Sequence, residues 1–582
     1  MSEKVQLTAE QIEKLEALAK QQRANLEKMG EEFKAENDKY LVHIYTCNAT
    51  GCNSGGAQGV LDACIYSIKT YGLEDKVRII ATGCMGLCGL GPLMRVEAKG
   101  KKPFMYKLVD AMLARLIIAE HVVPLIKAIE SGTVDDFEVQ GFLKEEHELS
   151  LEIPFFTKQK KVVLGKLGHS DPDNFAEYIA MGGYKALDKA LSMSPHEVVE
   201  EIKKSGLRGR GGAGFSTGTK WEIAARNTGE EKFVICNGDE GDPGAYMDSC
   251  ILGGGPHLVL EGMMIAAYAI GATSGWFYIR AEYPLAVHRI EQAIKQAKKA
   301  GLLGKNILGK GFDFMADVRL GAGAFVCGEE TALIASVEGK RGTPTPRPPY
   351  PAQKGLWGYP SCINNVETLA NVPIIIEQGA DVWGATGIGT SKGTKVFALT
   401  GSVANVGLVE VPMGVTVREM VEEIGGGTSS GLPFKGLQTG GPSGGILPAS
   451  EMDAQIGYDE LRKMGSMMGS GGMIVIDDSD SMIDIAKFYL GFTVEESCGK
   501  CAPCRIGGYQ MLQLLKKIAD GIGTIEDLKK IRKISTAMKK ASLCGLGQTA
   551  SNPVDSTVKY FRQEYLDKIK ENTRAIIAKH KA

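Results

Sequence analysis

Eight of the 13 cysteines fall into two constellations whose spacing suits soft-metal chemistry. Cys498-Gly-Lys-Cys501-Ala-Pro-Cys504 is a C-x2-C-x2-C run, and Cys544 follows far downstream of its last member, within SLCGLG. Three thiolates on one tight loop and a fourth from a distant loop suit the iron corners of a [4Fe–4S] cluster. A zinc knuckle is the alternative, although zinc sites usually use two C-x2-C pairs and not a triple. The second constellation is Cys47-x4-Cys52 with Cys84-x3-Cys88. Four thiols at the ends of neighbouring strands suit a [2Fe–2S] cluster or zinc, and neither pair has the C-x-x-C spacing of a thioredoxin-type redox site. Cys64, Cys236, Cys250, Cys327 and Cys362 stand alone and read as thiols acting as small hydrophobes.

Between the cysteine groups lie polar, glycine-rich loops. The segment RGRGGAGFSTGTKW (208–221) is neither G-x-G-x-x-G nor a Walker A loop. Its glycines let backbone N–H groups approach an anion, and Arg210 and Lys220 offer counter-charge for a phosphate. Alone, it reads equally well as a glycine-rich surface loop. The loops Asn237-Gly-Asp239-Glu240-Gly-Asp242-Pro-Gly, Gly328-Glu329-Glu330-Thr331 and Asn364-Asn365-Val-Glu-Thr368 can accept bonds from ribose hydroxyls or a carboxamide. Taken singly, each reads as turn formation or helix capping. Together, flanked by two cysteine groups, they point to a cofactor-linked redox enzyme.

Such residues need elements that deliver loops to one place. The 582 residues allow three to five domains on a prior of ~100–200 residues each. A hydrophobic fraction of 44% supports closed cores, and 67 basic against 69 acidic residues give no electrostatic case for nucleic acid binding. The N-terminal residues are charged and do not resemble a signal peptide. The longest apolar run, near 262–272, falls short of the ~18 residues that span a bilayer. A cytoplasmic protein with no membrane span is expected, in a compartment where clustered cysteines bind metal.

The periodicity predicts an amphipathic leader helix over 7–36, packed on another element or left as a solvated extension. Strands are expected at 40–46 and 76–82, with a helix at 54–71 between them and a closing helix at 108–129. Alternating strands and helices from about 156 to 390 predict an α/β domain with its loops at strand ends. Residues 391–470 read as a small strand-rich domain, and the chain beyond 476 as helical, with Asn552-Pro553 opening the last helix.

The motifs RGRGGAGFSTGTKW, NGDEGDPG, GAFVCGEETALIASVEG, INNVETLAN and ESCGKCAPCRIG…LCGLG occur in this order. The chain thereby resembles the NADH-binding flavoprotein subunit of respiratory complex I over about residues 40–565. It resembles more closely the flavoprotein (beta) subunits of soluble multimeric [FeFe] hydrogenases and NAD-dependent formate dehydrogenases, which share an N-terminal [2Fe–2S] domain.

The resemblance implies a multidomain α/β protein: a leader (1–36), a thioredoxin-like [2Fe–2S] domain (37–130), a linker (131–155), a Rossmann-like FMN/NAD domain (156–390), a ubiquitin-like β-grasp domain (391–475) and a helical [4Fe–4S] domain (476–582). It implies FMN held around Gly209, Arg210, Gly211, Gly212, Lys220, Asn237, Asp239, Gly328, Glu329, Asn364, Asn365 and Thr368. NAD(H) or NADP(H) would contact Phe215, Lys220, Glu240, Asp242, Glu330 and Tyr350. Cys47, Cys52, Cys84 and Cys88 would hold a [2Fe–2S] cluster, and Cys498, Cys501, Cys504 and Cys544 a [4Fe–4S] cluster. Partners implied are a catalytic iron–sulfur subunit of a hydrogenase or formate dehydrogenase, a small [2Fe–2S] subunit of the complex I type, and ferredoxin through the complex, with electron bifurcation among the implied activities. Asp242 stands where complex I has Glu and is usual in the hydrogenase branch. Phe325 and Tyr350 also depart from the complex I pattern, which usually has Tyr and Phe there. No cysteine follows Cys544, so the terminal ferredoxin domain of longer hydrogenase relatives is not expected. The competing readings are a respiratory NADH dehydrogenase subunit and a non-catalytic cluster scaffold or redox sensor.

Overall fold

The computed structural model describes residues 9–570, with side chains from residue 17 onward; the outer ends of the expected leader (1–8) and of the helical region (571–582) lie outside the described residues. The leader forms one helix, Ala9–Asn37. It packs on helix Phe175–Ala180, where Gly30 admits the Ala180 backbone. Arg23 pairs with Asp188 at 2.7 Å and Gln22 donates to the Ala300 carbonyl at 3.0 Å. The docked alternative is therefore the one realised.

The first sheet contains β1 (Val42–Cys47), β2 (Val77–Thr82), β3 (Met94–Ala98) and β4 (Phe104–Tyr106) in the order β2-β1-β3-β4. β1 and β2 are parallel, with Cys47 opposite Thr82. Both strands thus end at one edge, and Cys47 and Cys84 leave it side by side. The helix expected over 54–71 is two helices, Thr50–Ser54 and Ala57–Thr70, parted at Gly56, whose φ of +93° suits glycine. Residues 131–155 are not a free linker. Val139 and Leu143 are buried in the core of this unit, and the Leu149 N–H donates to the Met105 carbonyl at 2.8 Å. A sheet this small needs that extra apolar cover.

The central sheet orders β5 (Phe233–Gly238), β6 (Ser274–Arg280), β7 (Gly304–Ile307), β8 (Phe312–Gly321) and β9 (Ser361–Asn365) as β7-β8-β6-β5-β9. Only edge strand β7 runs antiparallel to its neighbour. Residues 233–236 of β5 are all buried, the continuous apolar run of a strand covered on both faces. The chain moves outward from β5 to β6 and β8, then returns to place β9 on the other side of β5. The crevice beyond β5 and β9 is the topological switch point, where open α/β sheets bind ligands.

Five more strands form a mixed sheet: β12 (Thr394–Gly401), β13 (Gly407–Pro412), β14 (Phe434–Thr439), β15 (Gly445–Pro448) and β16 (Gly472–Asp477), after a short β10–β11 hairpin (Gly387–Ile388, Ser391–Lys392). The order is β13-β12-β16-β14-β15, with β12 and β16 parallel at the centre. Ile476 and Asp477 still pair with β14, so this sheet runs past residue 475. Buried Glu367 and Lys395 form an ion pair that ties it to helix Val366–Gln378, and Glu367 Oε1 also accepts the Val396 N–H at 2.9 Å.

Helices Met482–Glu495, Gly508–Ala519, Ile525–Ala541 and Asn552–Tyr560 pack around Leu490, Met511, Leu515, Ile531 and Val554. Ser551, not Asn552, precedes the last helix; Asn552 Nδ2 instead donates to the Ser443 carbonyl at 2.8 Å. The whole is a mixed α/β multidomain fold. Among the described residues no single helix is long and apolar enough to cross a membrane.

Candidate flavin and iron–sulfur sites

Four loops meet at the switch point. Asn237, near the end of β5, donates from Nδ2 to the Gly328 carbonyl at 2.9 Å and accepts the Asp239 N–H at 3.0 Å. This holds the Asp239 side chain at 1% exposure, with neither carboxylate oxygen meeting a hydrogen-bond donor. Its nearest cation, Arg280, stands 3.8 Å away. A buried carboxylate without donors is costly, and a polyhydroxylated ligand in the crevice would supply them. The cradle beside it depends on missing side chains. A Cβ on Gly211 would stand 3.1 Å from Asn365 Cβ, and one on Gly212, at φ +122°, 3.1 Å from the Gly469 backbone. A flavin nucleotide fits this donor-poor, glycine-lined crevice.

Three of the expected residues brace the crevice from behind. Asn364 Oδ1 accepts from Trp221 Nε1 at 3.3 Å. Asn365 caps helix Val366–Gln378 and donates to Asp248 at 2.5 Å. Thr368 Oγ1 accepts the Arg210 N–H at 2.8 Å. The Arg210 side chain corrects an expectation. It is fully buried, and its guanidinium donates to the carbonyls of Arg208, Lys392 and Thr394 at 3.0, 2.7 and 2.9 Å. A rigid fork of donors suits three fixed carbonyls, so this charge staples the loop to the β11–β12 segment and is no counter-charge for a phosphate. Gly209, Gly211, Gly212 and the backbone of Arg210 remain to line the loop. Lys220 is the cation that faces the crevice, 3.0 Å from the Ile363 carbonyl and 3.7 Å from Glu330.

The acidic residues separate by environment. Glu329 caps helix Glu330–Val337 through the N–H groups of Thr331 and Ala332. Glu240 is turned inward and accepts the Asp248 and Ser249 N–H groups at 3.0 and 3.1 Å; burial pushes its carboxyl up to about 7. Asp242 accepts the Ser470 hydroxyl at 2.7 Å and is pushed up to about 6 by burial. Glu330 lies nearer the mouth, 2.5 Å from Arg347, whose guanidinium sits 5.9 Å from the centre of the Tyr350 ring. Phe215 and Tyr350 are 52% and 53% exposed, large rings left open to a planar ligand.

Asp239 makes a pH prediction. Burial, opposed by Arg280, raises its carboxyl from 3.8 to about 7. The folded value exceeds the unfolded one, so its contribution is full below about pH 4 and is lost as pH rises through 7, by up to ~4 kcal/mol. Buried His121, His169 and His257, each lowered to about 4, act in the opposite sense below pH 6.5. The readout is therefore a difference: flavin-free Asp239→Asn gains most over the parent in urea unfolding at pH 8 and least at pH 5. An equal gain at both values would refute the assignment.

The cysteines assemble as two sets. Cys498 follows helix Met482–Glu495, Cys501 lies before the wide turn Pro503–Gly507 and Cys504 within it, and Cys544 caps Gly545–Thr549. All four line one recess of about 280 Å³, open space included, with Val326 and Pro344. A Cβ on Gly547 would stand 2.9 Å from Cys504 Cβ, so this glycine is what lets the two loops close. Val326 belongs to the turn Phe325–Gly328, whose other end, Gly328, borders the flavin crevice. One short turn therefore touches both sites. In the other set, Cys52 Sγ lies 3.1 Å from Cys47 and Cys84 Sγ 3.5 Å from Cys88. The Cys52 contact lowers the Cys47 thiol well below its usual value. A fifth cysteine, Cys250, packs partly buried against the core that holds Cys47, Cys52 and Cys84. Sequence spacing could not find it, because it arrives on helix Met247–Gly254 from another domain.

Residues 202–374 match the Nuo51 FMN-binding domain and residues 484–568 the NADH-ubiquinone oxidoreductase-F iron–sulfur binding region. The chain is 54% identical over 408 residues to the NADP-reducing hydrogenase subunit HndC of Solidesulfovibrio fructosivorans, covering 70% of this chain and 83% of that one. It is 40% identical over 398 residues to the F subunit of the NADH-quinone oxidoreductase of Escherichia coli, covering 68% and 89%. A crystal structure of an NAD+-reducing [NiFe]-hydrogenase in the H2-reduced state superposes with a TM-score of 0.64 at 29% identity, over 95% of this chain and 92% of that one. The chain belongs to the family of complex I-type NADH-binding flavoprotein subunits, NAD(P)H-dependent oxidoreductases that bind FMN and a [4Fe–4S] cluster.

Proposed function

We propose that this chain is the diaphorase subunit of a soluble, multisubunit hydrogenase or formate dehydrogenase, working between NAD(P)H and iron–sulfur clusters. The observation that carries the reading is the turn Phe325–Gly328, which borders the flavin crevice at Gly328 and the four-cysteine recess at Val326. Bound FMN supplies hydride acceptance from a nicotinamide and release of electrons one at a time. Around it, Lys220 balances phosphate charge, Asp239 accepts hydrogen bonds from hydroxyl groups, and the glycines at 209, 211, 212 and 328 let backbone come close. Glu330, Phe215 and Tyr350 orient the dinucleotide at the mouth, while Glu240 and Asp242 shape its inner wall. Hydride transfer needs no side-chain acid or base, so none is assigned.

Cys498, Cys501, Cys504 and Cys544 take the [4Fe–4S] cluster, and Cys47, Cys52, Cys84 and Cys88 a [2Fe–2S] cluster in a thioredoxin-like domain. The order β13-β12-β16-β14-β15, or 2-1-5-3-4 in chain order, supports a β-grasp reading of residues 391–477. Partners are a catalytic iron–sulfur subunit, a small [2Fe–2S] subunit and, through the complex, ferredoxin, with bifurcation as the finer form of the activity. The 40% identity to a quinone-reducing relative favours a respiratory role as second reading; the N-terminal unit and the likeness to HndC weigh for the first.

The test is the purified native complex. One FMN per chain, NAD(P)H-dependent viologen reduction and a hydrogenase or formate dehydrogenase as largest subunit are expected; absence of flavin from the intact complex would make the chain a scaffold. Within it, Glu330→Gln should raise the KM for the nicotinamide about ten- to hundredfold, since a charged acceptor contributes ~1.5–3 kcal/mol, while FMN stays bound. Unchanged KM with lost flavin would reverse the assigned roles.

A further inference from the structure

The turn Phe325–Gly328 joins the two sites and lacks a cap of its own. The first N–H groups of a helical turn find no partner inside it. The residue ahead of this turn is Ala324, which has no side-chain acceptor to offer. Residues 321–324, Gly-Ala-Gly-Ala, carry no polar side chain either. The acceptor comes from another part of the chain: the Phe325 N–H donates to Glu496 Oε2 at 2.8 Å. At the far end, the Gly328 carbonyl accepts from Asn237 Nδ2 at 2.9 Å. The turn is thus held on the cluster side by Glu496 and on the flavin side by Asn237.

Glu496 sits where its own helix gains nothing from its charge. It is the residue after helix Met482–Glu495, at the end where the helix dipole disfavours a carboxylate. A carboxylate suits the N-terminal end of a helical turn, and that is the end of Phe325–Gly328 that it reaches. Phe492, one turn earlier on the same helix, meets the Phe325 ring edge to face with centres 5.3 Å apart. Two cations complete the seam: Arg341 donates to the Cys498 carbonyl at 3.1 Å and Lys500 to the Pro344 carbonyl at 2.6 Å. Those two bonds tie down the cysteine loop, whereas the Glu496 bond holds the turn itself.

We propose that Glu496 is a positioning residue for the electron step between the flavin and the four-cysteine site: reaching across from the helical region, its carboxylate caps a turn that borders both. The inference rests on the reading of the crevice as the flavin site and of Cys498, Cys501, Cys504 and Cys544 as the [4Fe–4S] ligands. Glu496 itself gains and loses neither electron nor proton; each electron that leaves reduced flavin is the one the cluster takes up. Its part is to fix the turn, and with it the separation that the electron crosses.

The experiment pairs hydrogen exchange at residues 325–328 in the flavin-free full chain with stopped-flow reduction of the FMN-loaded chain by NADH, prepared anaerobically, with iron analysis alongside. Losing a bond to a charged acceptor should speed exchange there about tenfold in Glu496→Ala. NADH should bleach the flavin of this variant at the parental rate, while reduction of the [4Fe–4S] cluster lags and about four irons remain at that site. Glu496→Gln, which keeps an acceptor oxygen for the Phe325 N–H, should restore most of both. Parental exchange in Glu496→Ala overturns the proposal, and so does faster exchange with no lag in cluster reduction. Glu496→Gln as impaired as Glu496→Ala also overturns it, assigning the effect to charge near the cluster and not to the cap. Loss of the four irons in both variants makes Glu496 a brace of the cysteine loop and overturns it as well. A parent chain that binds no flavin, or holds zinc at Cys498–Cys544, overturns instead the reading on which the proposal rests.

Discussion

Cys501→Ser should remove about four irons per chain and abolish viologen reduction, while NADH still bleaches the flavin; Cys84→Ser should remove about two irons and leave NADH-to-viologen turnover in place. The asymmetry follows from where the two sulfur sets lie. Cys501 lines the recess shared with Val326, one turn from the flavin crevice, so its cluster stands on the exit route. Cys84 belongs to a set gathered at the edge of another sheet, beyond helix Met247–Gly254. The sets also draw on separate cores: Cys498 packs against the one around Tyr278, Val326 and Leu333, and Cys47, Cys52 and Cys84 belong to the larger one. They should therefore fail independently. Parent protein is expected to hold about six irons and as much acid-labile sulfide. Metal analysis returning stoichiometric zinc at Cys47–Cys88 in anaerobic preparations would sink the N-terminal half, and Cys501→Ser retaining turnover would sink the exit route.

Legibility in the sequence followed the physical range of each signal. Cysteine spacing is local, so Cys498, Cys501 and Cys504 of one proposed set, and each close pair of the other, read directly. Strands β5, β6 and β8 were legible as apolar runs, and the loops after them converge as parallel topology requires. What failed was side-chain direction. Nothing in RGRGGAG distinguishes an arginine facing a phosphate from one facing carbonyls; that depends on the β11–β12 segment, far downstream, whose carbonyls at Lys392 and Thr394 capture Arg210. Residues 131–155 read as linker because their charge masked Val139, Leu143 and Leu149, which cover the small N-terminal sheet. Glu329 and Glu240 each accept N–H groups at a helix N-terminus, so the plain reading of a carboxylate in such loops as a helix cap describes a contact that both make.

On the proposed reading, with Arg210 committed to carbonyls, the charge balance of a bound FMN phosphate falls on Lys220, and Lys220→Glu should abolish flavin retention. Lys220 Nζ stands 3.7 Å from Glu330 and 3.0 Å from the carbonyl of Ile363 in the middle of β9. Two charges about 4 Å apart near a protein surface interact by ~4 kcal/mol at an effective dielectric constant of 20. Reversing one of them turns attraction for phosphate into repulsion of that order and sets a second carboxylate beside Glu330. The expected loss in FMN affinity exceeds about a thousandfold, enough for gel filtration to strip the nucleotide. Iron content reports whether the variant has folded: the four-cysteine recess borders the same crevice through Val326, and a protein that keeps about four irons there but no flavin has lost the phosphate site alone. Lys220→Arg, which keeps the charge, should retain most of the FMN, and Lys220→Gln should fall between the two. Full FMN occupancy in Lys220→Glu with iron intact would remove Lys220 from the phosphate site and leave the backbone N–H groups of Gly211 and Gly212 to hold the anion without a side-chain cation.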